Sequence, residues 1–170
     1  MYQDVQITDY LEIVYQKLAK GGVFLTAQNQ SSLNTMTIGW GGITHFWAKP
    51  IFIVPVRRSR YTYDLIDSAG EFTVSVPLEA DLSAQLRFCG THSGRDVDKF
   101  QSAGITAVPG QVISTPVIAQ CELHFECKTV YKQTMDPAFL DAAVQERWYP
   151  DYHTLYFGEI VACYRIDGVK

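Results

Sequence analysis

The clearest pattern in the chain is an alternation of apolar and polar residues over positions 117–131, which is typical of a strand with one buried face. The apolar face of this predicted strand consists of Val117, Ala119, Cys121, Leu123, Phe125 and Cys127. The other face consists of Gln120, Glu122, His124, Glu126 and Lys128. We therefore expect one continuous strand with His124 among exposed carboxylates, and we assign none of these residues a catalytic role.

Other segments also have strand patterns. Residues 23–29 and 33–40 are predicted to form a hairpin, and residues 71–77 form another strand. Residues 51–56, IFIVPV, predict a strand buried on both faces, with Pro55 near an edge or a bulge. Residues 153–167 are apolar on both faces, so this strand needs a second layer or a second subunit. Short strands with few helices predict a mainly β fold, a β-barrel with appended helices.

The first helix is predicted by a capping box, in which Asp9 is followed by Glu12. Its apolar face is expected to contain Leu11, Val14, Tyr15 and Leu18. Gly21 ends the pattern.

Two helices are predicted in the middle of the chain. Residues 79–88 have a helical pattern with Leu82 and Leu86 on the inward face. Ser93 with Asp96 again has the spacing of a capping box, which predicts a helix from Ser93 through Phe100.

A further helix is predicted to begin at Asp136, as the N-cap, with Pro137 in its first turn. Its apolar face is expected to contain Phe139, Leu140, Ala143 and Val144. The aromatic segment that follows, residues 147–153, is either a wall over a ligand or a packed surface insertion.

The length of 170 residues suggests a single domain over residues 1–170. The net charge of −4 does not favour nucleic acid or an anionic membrane as the main partner. The N-terminal residues show no secretory signal or membrane span, which predicts a cytoplasmic protein. The four cysteines, Cys89, Cys121, Cys127 and Cys163, have no CxxC spacing, so we expect reduced core residues and no metal site.

A cluster of arginines and hydroxyls follows the apolar strand 51–56. Arg57, Arg58 and Arg60 surround Ser59, with Thr62 close behind, where a helix over residues 61–68 is predicted to begin and to end before Gly70. Unpaired backbone N–H groups, hydroxyls and guanidinium groups at a helix start can hold a phosphate. The alternative is that Ser59 is only an N-cap and the arginines form a solvated basic rim.

Four sequence blocks resemble a known family. They are Asn34-Thr35-Met36-Thr37, Trp40-Gly41-Gly42, Arg58-Ser59-Arg60-Tyr61-Thr62 and residues 89–100, CGTHSGRDVDKF. In this order and spacing they resemble the flavin reductase-like family of FMN-binding split barrels, in particular its flavoredoxin-type branch. The resemblance implies a Greek-key split β-barrel that binds FMN as a homodimer.

The resemblance also implies site residues. The cofactor-binding candidates are Asn34, Thr35, Met36, Thr37, Trp40, Arg58, Ser59, Arg60, Thr62, His92, Ser93 and Lys99. The candidates on the substrate side are Tyr149, Tyr152 and His153. Residues 34–37 are expected along the flavin ring and ribityl chain, and Trp40 is either core or ligand wall.

The sequence contains no GxGxxG after a strand, no nucleophile elbow and no HExxH motif, so a bound cofactor is expected to supply the chemistry, with no catalytic side chain. The leading hypothesis is an FMN-dependent oxidoreductase, a flavin reductase with NAD(P)H as electron donor. One alternative is a flavoredoxin-like electron carrier that exchanges electrons with a redox protein. Another is a split barrel that binds a different ligand such as heme.

Overall fold

The computed structural model describes residues 2–166, and its main feature is an eight-stranded sheet in which all neighbours are antiparallel. The strands of this sheet are β1 (Tyr2–Asp4), β2 (Val23–Gln28), β3 (Leu33–Ile38), β4 (Gly42–Phe46), β5 (Lys49–Arg57), β6 (Glu71–Val76), β9 (Leu123–Thr134) and β10 (His153–Ile166). A separate two-stranded ribbon is formed by β7 (Ala107–Val108) and β8 (Val117–Ile118).

The main sheet runs in the order β3-β2-β6-β9-β10-β5-β4, and β1 pairs with β10. Within residues 2–166, β3 and β4 end this order without pairing to each other, so the barrel is not closed. The expectation of a mainly β split barrel with appended helices is confirmed. Its α-helices are α1 (Leu11–Ala19), α2 (Tyr61–Ala69), α3 (Ser83–Thr91), α4 (Lys99–Ala103) and α5 (Ala142–Trp148).

The strands that carry the candidate site form over the predicted segments, but the expectation that residues 51–56 are buried on both faces is wrong, because Ile53 and Pro55 are only partly buried. β2 and β3 make the hairpin, and β5 packs its buried residues Phe52, Val54 and Val56 into the core. Pro55 lies beyond the last β4–β5 pair, Gly42 with Ile53, so its missing N–H interrupts no bond to β4. The helix α2 ends at Gly70, which adopts the left-handed conformation at φ 69°.

The prediction of one strand over residues 117–131 is wrong. The chain turns between β8 and β9, and Cys121 donates its backbone N–H to the carbonyl of Ile118. The alternation continues through this turn because the apolar side chains before and after the turn are buried in the core. Val117, Cys121, Leu123 and Phe125 are all buried, as expected.

The expectation that His124 lies among exposed carboxylates is also wrong, because His124 and Glu126 are fully buried. The His124 ring lies between the hydroxyl of Ser75 and the carbonyl of Cys121, at 3.1 and 2.9 Å. The Glu126 carboxylate accepts the hydroxyl of Tyr164 and the backbone N–H groups of residues 111–113. The loop before β8 therefore covers this face of β9.

Asp9 does not cap the first helix. It lies within a 3₁₀ turn, Ile7–Tyr10, and α1 follows with Tyr10 at its N-cap and no side-chain cap. Val14 and Leu18 are buried as expected, whereas Leu11 and Tyr15 are exposed.

The helix predicted at Asp136 is divided in two. Asp136 caps only a 3₁₀ turn, Pro137–Phe139, while Asp141 caps α5. Phe139 and Val144 are exposed, so the predicted apolar face does not pack as a unit. In the helix predicted at 79–88, Leu82 and Leu86 are buried, but α3 begins only at Ser83.

β10 forms as predicted through Ile166, and Asp167 lies outside the described residues. All four cysteines are free; Cys89, Cys121 and Cys127 are buried, and Cys163 is partly buried. Among residues 2–166, no helix is long and apolar enough to span a membrane.

Candidate functional site

Two adjoining cavities lie beside the end of β5. The first, which we call the Trp40 cavity, has a volume of about 310 Å³ and is lined by Met36, Thr37, Ile38, Gly39, Trp40, Pro55, Arg57, Arg60 and His153. The second, the Ser59 cavity, has a volume of about 240 Å³ and is lined by Asn34, Met36, Arg57, Ser59, Arg60, Tyr61, Thr62, Thr91, His92, Ser93, Gly94 and Lys99. They share Met36, Arg57 and Arg60, so a ligand that fills both would pass these three side chains.

The Ser59 cavity forms where β5 ends and α2 begins. Arg60, in an extended conformation, is the N-cap of α2, and no side chain caps the helix. The expectation that Ser59 is the N-cap is therefore wrong: its hydroxyl instead donates to the carboxylate of Asp151 at 2.5 Å. The start of α2 remains a place where an anion can meet N–H groups and hydroxyls.

Asn34 and the residues after α3 close the other side of the Ser59 cavity. Asn34 donates its amide to the hydroxyl of Thr62 at 2.8 Å, which fixes both side chains. A Cβ added at Gly94 would collide with the Asn34 amide and approach the ring of Tyr61. Position 94 therefore needs glycine for the turn to pack this closely on β3.

The predicted helix from Ser93 does not form. The Ser93 hydroxyl accepts the N–H of Arg95 in a turn, and the next helix, α4, begins at Lys99 with Asp98 as its N-cap. The capping-box spacing is thus used by a loop, which leaves His92 and Ser93 lining the Ser59 cavity.

Lys99 is the buried cation of the Ser59 cavity, with 4% of its surface exposed. Its ammonium donates to the carbonyls of Thr35 and Cys89, at 3.0 and 2.8 Å. Burial lowers the pKa of Lys99 to about 8; the neighbouring Cys89 acts in the opposite direction and Arg60 in the same one. An ammonium has three N–H groups, so a third is available for a ligand in the cavity.

The arginines differ in position. Arg60 lines both cavities and donates to the carbonyl of Gly90 at 3.1 Å. Arg58 lines neither; its guanidinium lies over the ring of Tyr63. Arg57, which belongs to the arginine cluster in the sequence but is absent from the cofactor-binding candidates, lines both cavities. The alternation of β5 could have predicted this position, because Arg57 shares a strand face with Pro55 and not with the buried Val56.

The predicted residues of β3 behave differently from one another. Met36 lines both cavities and Thr37 lines the Trp40 cavity. The hydroxyl of Thr37 donates to the carbonyl of Leu86 at 2.6 Å, and the fully buried hydroxyl of Thr35 bonds Thr26. Both threonines therefore direct their hydroxyl protons to the protein and not to a ligand.

Residues 148–153 lie against the Trp40 cavity. The rings of Trp40 and Trp148 meet edge to face at 5.4 Å, and Arg57 donates to the carbonyl of Trp148 at 2.9 Å. Tyr149 and Tyr152 stack on each other and line neither cavity.

Of the three substrate-side candidates, only His153 lines the Trp40 cavity. Its register partner on β5 is Arg57, whose Nε donates to His153 Nε2 at 3.3 Å. Burial, with a smaller contribution from Arg57, lowers the pKa of His153 to about 4, so the ring is neutral at pH 7.

Residues 15–170 match the flavin reductase like domain family, a match that includes both cavities. The chain belongs to the flavin reductase-like family. An uncharacterized protein of Archaeoglobus fulgidus is 28% identical to it over 97% of this chain and 81% of that protein.

Solved structures of family members have the same fold. Flavoredoxin of Desulfovibrio vulgaris (Miyazaki F) is 26% identical, with a TM-score of 0.69 over 86% of this chain and 69% of that one. An FMN-binding domain of a flavin reductases-like enzyme from Shewanella baltica is 21% identical, with a TM-score of 0.68 over 97% of this chain and 77% of that one. The likeness to the flavoredoxin-type branch is confirmed.

Proposed function

We propose that this flavin reductase-like protein binds FMN and uses it for electron transfer. The observation that carries the proposal is the pair of joined cavities, one with cations and hydroxyls and the other lined by Trp40 and residues 36–39. The first suits a phosphate and the second a flat ring. The similarity to flavoredoxin and to an FMN-binding domain supports the same ligand.

In this proposal, Arg60, Lys99 and the start of α2 hold the phosphate, while Ser59 contributes a hydroxyl once Asp151 releases it. Met36 and Trp40 exclude water from one side of the ring. The bound flavin supplies the capacity to accept and release electrons. No side chain of the chain is assigned a proton-transfer role.

The phosphate assignment can be tested by comparing FMN with riboflavin, which lacks the phosphate. We expect tighter binding of FMN, measured by quenching of flavin fluorescence. Equal affinities for FMN and riboflavin would contradict the assignment of the phosphate to the Ser59 cavity.

We further propose NAD(P)H as the electron donor, which makes the protein a flavin reductase. A second candidate function, favoured by the similarity to flavoredoxin, is that of an electron carrier that reacts with a redox protein. Anaerobic titration of the FMN-loaded protein with NADH and then NADPH distinguishes the two. Rapid bleaching of the flavin by either nucleotide supports the reductase, and no bleaching supports the carrier.

A homodimer remains part of the proposal. The residues Leu155, Phe157, Val161 and Cys163 on the second face of β10 are only partly buried. Phe157 also contacts the exposed rings of Phe46, Trp47 and Tyr131. Burying such a surface favours association. Light scattering should give the mass of two chains at micromolar concentration; the mass of one chain would contradict this.

A further inference from the structure

His153 has one ring nitrogen with a partner and one without. Its Nε2 accepts from Arg57, whereas its Nδ1 is buried and has no hydrogen-bond partner among the described residues. Only 7% of the residue is exposed. Buried polar atoms without partners are rare in folded proteins, and on a residue that lines a cavity such an atom is a candidate for a hydrogen bond to a ligand.

The contact with Arg57 determines which nitrogen carries the proton. A guanidinium can donate but cannot accept, so Nε2 must present its lone pair to Arg57. The single proton of the neutral ring is then on Nδ1. The neutral state is favoured by the low pKa of about 4, for which burial is the main cause. His153, which lines the Trp40 cavity, therefore has one uncharged N–H donor that lacks a partner among the described residues.

The position of this donor identifies the part of the ligand that it meets. If the phosphate occupies the Ser59 cavity, the ring must lie beyond Met36, Arg57 and Arg60 in the Trp40 cavity, which His153 lines. An isoalloxazine ring has carbonyl oxygens and ring nitrogens along one edge, and these accept hydrogen bonds.

We propose that His153 is a flavin-ring ligand: its Nδ1–H donates to an acceptor atom of the isoalloxazine ring, and Arg57 fixes the tautomer that allows this. The inference rests on the proposed binding of FMN. It assigns Arg57 a positioning role, because Arg57 acts on the ring through His153.

Riboflavin is the probe that isolates this contact, because it has the ring without the phosphate. We expect His153→Phe to weaken riboflavin and FMN binding equally, by about tenfold. His153→Asn can place an amide N–H near the position of Nδ1 and should recover most of the affinity. His153→Gln, whose amide reaches the position of Nε2, is the matched control and should not recover it. Thermal unfolding without flavin checks the fold of each variant.

The reduction potential gives a second readout. The reduced ring is richer in electrons than the oxidised ring, so a donor stabilises the reduced form more. If the variant loses ten times more affinity for the reduced flavin than for the oxidised flavin, its reduction potential falls by about 30 mV for a two-electron couple. We therefore expect a lower potential in His153→Phe than in the parent protein.

The tautomer can be observed directly in the parent by nitrogen-15 NMR of the histidine rings. His124 provides an internal control: its Nε2 faces the carbonyl of Cys121 and must carry the proton there. His153 should show the opposite tautomer, with an Nδ1 proton whose signal shifts when riboflavin binds. This measurement needs no variant, so it tests the tautomer of His153 and its contact with the flavin even if His153→Phe does not fold.

Unchanged riboflavin affinity in a folded His153→Phe protein, or an Nε2–H tautomer of His153 in the parent, would overturn the inference while leaving FMN binding intact. A parent protein that binds neither flavin would instead overturn the proposed function.

Discussion

Two groups of buried polar side chains in this protein can be compared, one around Glu126 and one around His153. The carboxylate of Glu126 accepts four hydrogen bonds, and both nitrogens of the neighbouring His124 have partners. In the walls of the two cavities, by contrast, His153 Nδ1 has no hydrogen-bond partner within residues 2–166, and Lys99 uses two of its three N–H groups. Both groups are buried, so burial alone does not distinguish them.

The difference is in whether the protein itself completes the hydrogen bonds. A completed network stabilises the fold and leaves nothing for a ligand. An incomplete one costs stability and is retained where a ligand supplies the missing partner. Substitutions near Glu126 should therefore change the free energy of unfolding, and substitutions around the cavities should change flavin affinity.

The largest expected effect is that of Glu126→Leu. The change leaves three backbone N–H groups and the Tyr164 hydroxyl without an acceptor, which should lower the free energy of unfolding by about 3–5 kcal/mol. Urea unfolding measures it. Glu79→Gln, at an exposed carboxylate, is the control and should change little. A loss below about 1 kcal/mol would show that the network is not a stabilising one.

The next effect is a pH dependence of stability caused by His124. Burial lowers the pKa of His124 in the folded protein to about 4, below its ordinary value of 6.5. As the pH falls, the unfolded chain therefore binds the proton before the folded protein does. The stability contributed by the neutral His124 ring is fully present above pH 6.5 and is lost as the pH falls from 6.5 to 4, a loss of up to about 3 kcal/mol. His153 titrates in the same direction. The free energy of unfolding, measured with urea at several pH values, should depend less on pH in His124→Gln than in the parent protein.

On the cavity side, Arg60→Ala should weaken FMN binding by about ten- to a hundred-fold, the value of roughly 1.5–3 kcal/mol for one charged hydrogen bond. Riboflavin should bind this variant and the parent alike. Arg58→Ala is a matched control, because Arg58 lines neither cavity and should leave both affinities unchanged. If Arg58→Ala has the larger effect on FMN, the assignment of the two arginines is reversed.

A smaller effect is expected from the titration of Lys99. Its pKa of about 8 means that the ammonium loses its proton at moderately high pH. A phosphate dianion favours the protonated lysine, so FMN affinity should fall above pH 8, by at most about tenfold per pH unit. Riboflavin titrations over the same range should stay flat, since riboflavin has no phosphate. A parallel fall for both flavins would assign the titration to another group.

The smallest effect is expected for the cysteines, which should be dispensable for electron transfer. Cys89 is the nearest to the site, but burial raises the pKa of its thiol to about 11, so little thiolate exists at pH 7. Its contact with Lys99 uses the backbone carbonyl, which alanine retains. Flavin reduction kinetics of Cys89→Ala should match those of the parent. Loss of reduction with FMN still bound would assign the thiol a role.

Local patterns predicted the elements that extend over one uninterrupted stretch of the chain. The β2–β3 hairpin, the buried residues of β5, the helix α2 ending at Gly70, and β10 are of this kind. The motif resemblance also brought together most residues of the two cavities, including Asn34, Arg60 and Lys99. A single domain over residues 1–170 and a cytoplasmic location stay predictions.

Two of the failures have the same physical cause, which is contact between distant segments. The burial of Glu126 depends on backbone N–H groups of residues 111–113, and nothing in the local alternation signals that cover. The pairing of Arg57 with His153 depends on the register of β5 against β10, across 96 residues of chain. The site therefore contained an arginine that sequence blocks did not single out.

The position of β10 in the sheet also affects the order in which the protein can fold during synthesis. β10 is the last of the eight strands to be made, yet it joins β5 to β9 and is the strand with which β1 pairs. Until residues 153–166 have left the ribosome, β5 and β9 expose unpaired edges, and β1 has no strand to bind. Pairing of Tyr2 with Ile166 then closes one of the longest possible loops in the chain, a slow step in folding. A nascent chain arrested before residue 153 should therefore depend on chaperones, whereas the released chain should not.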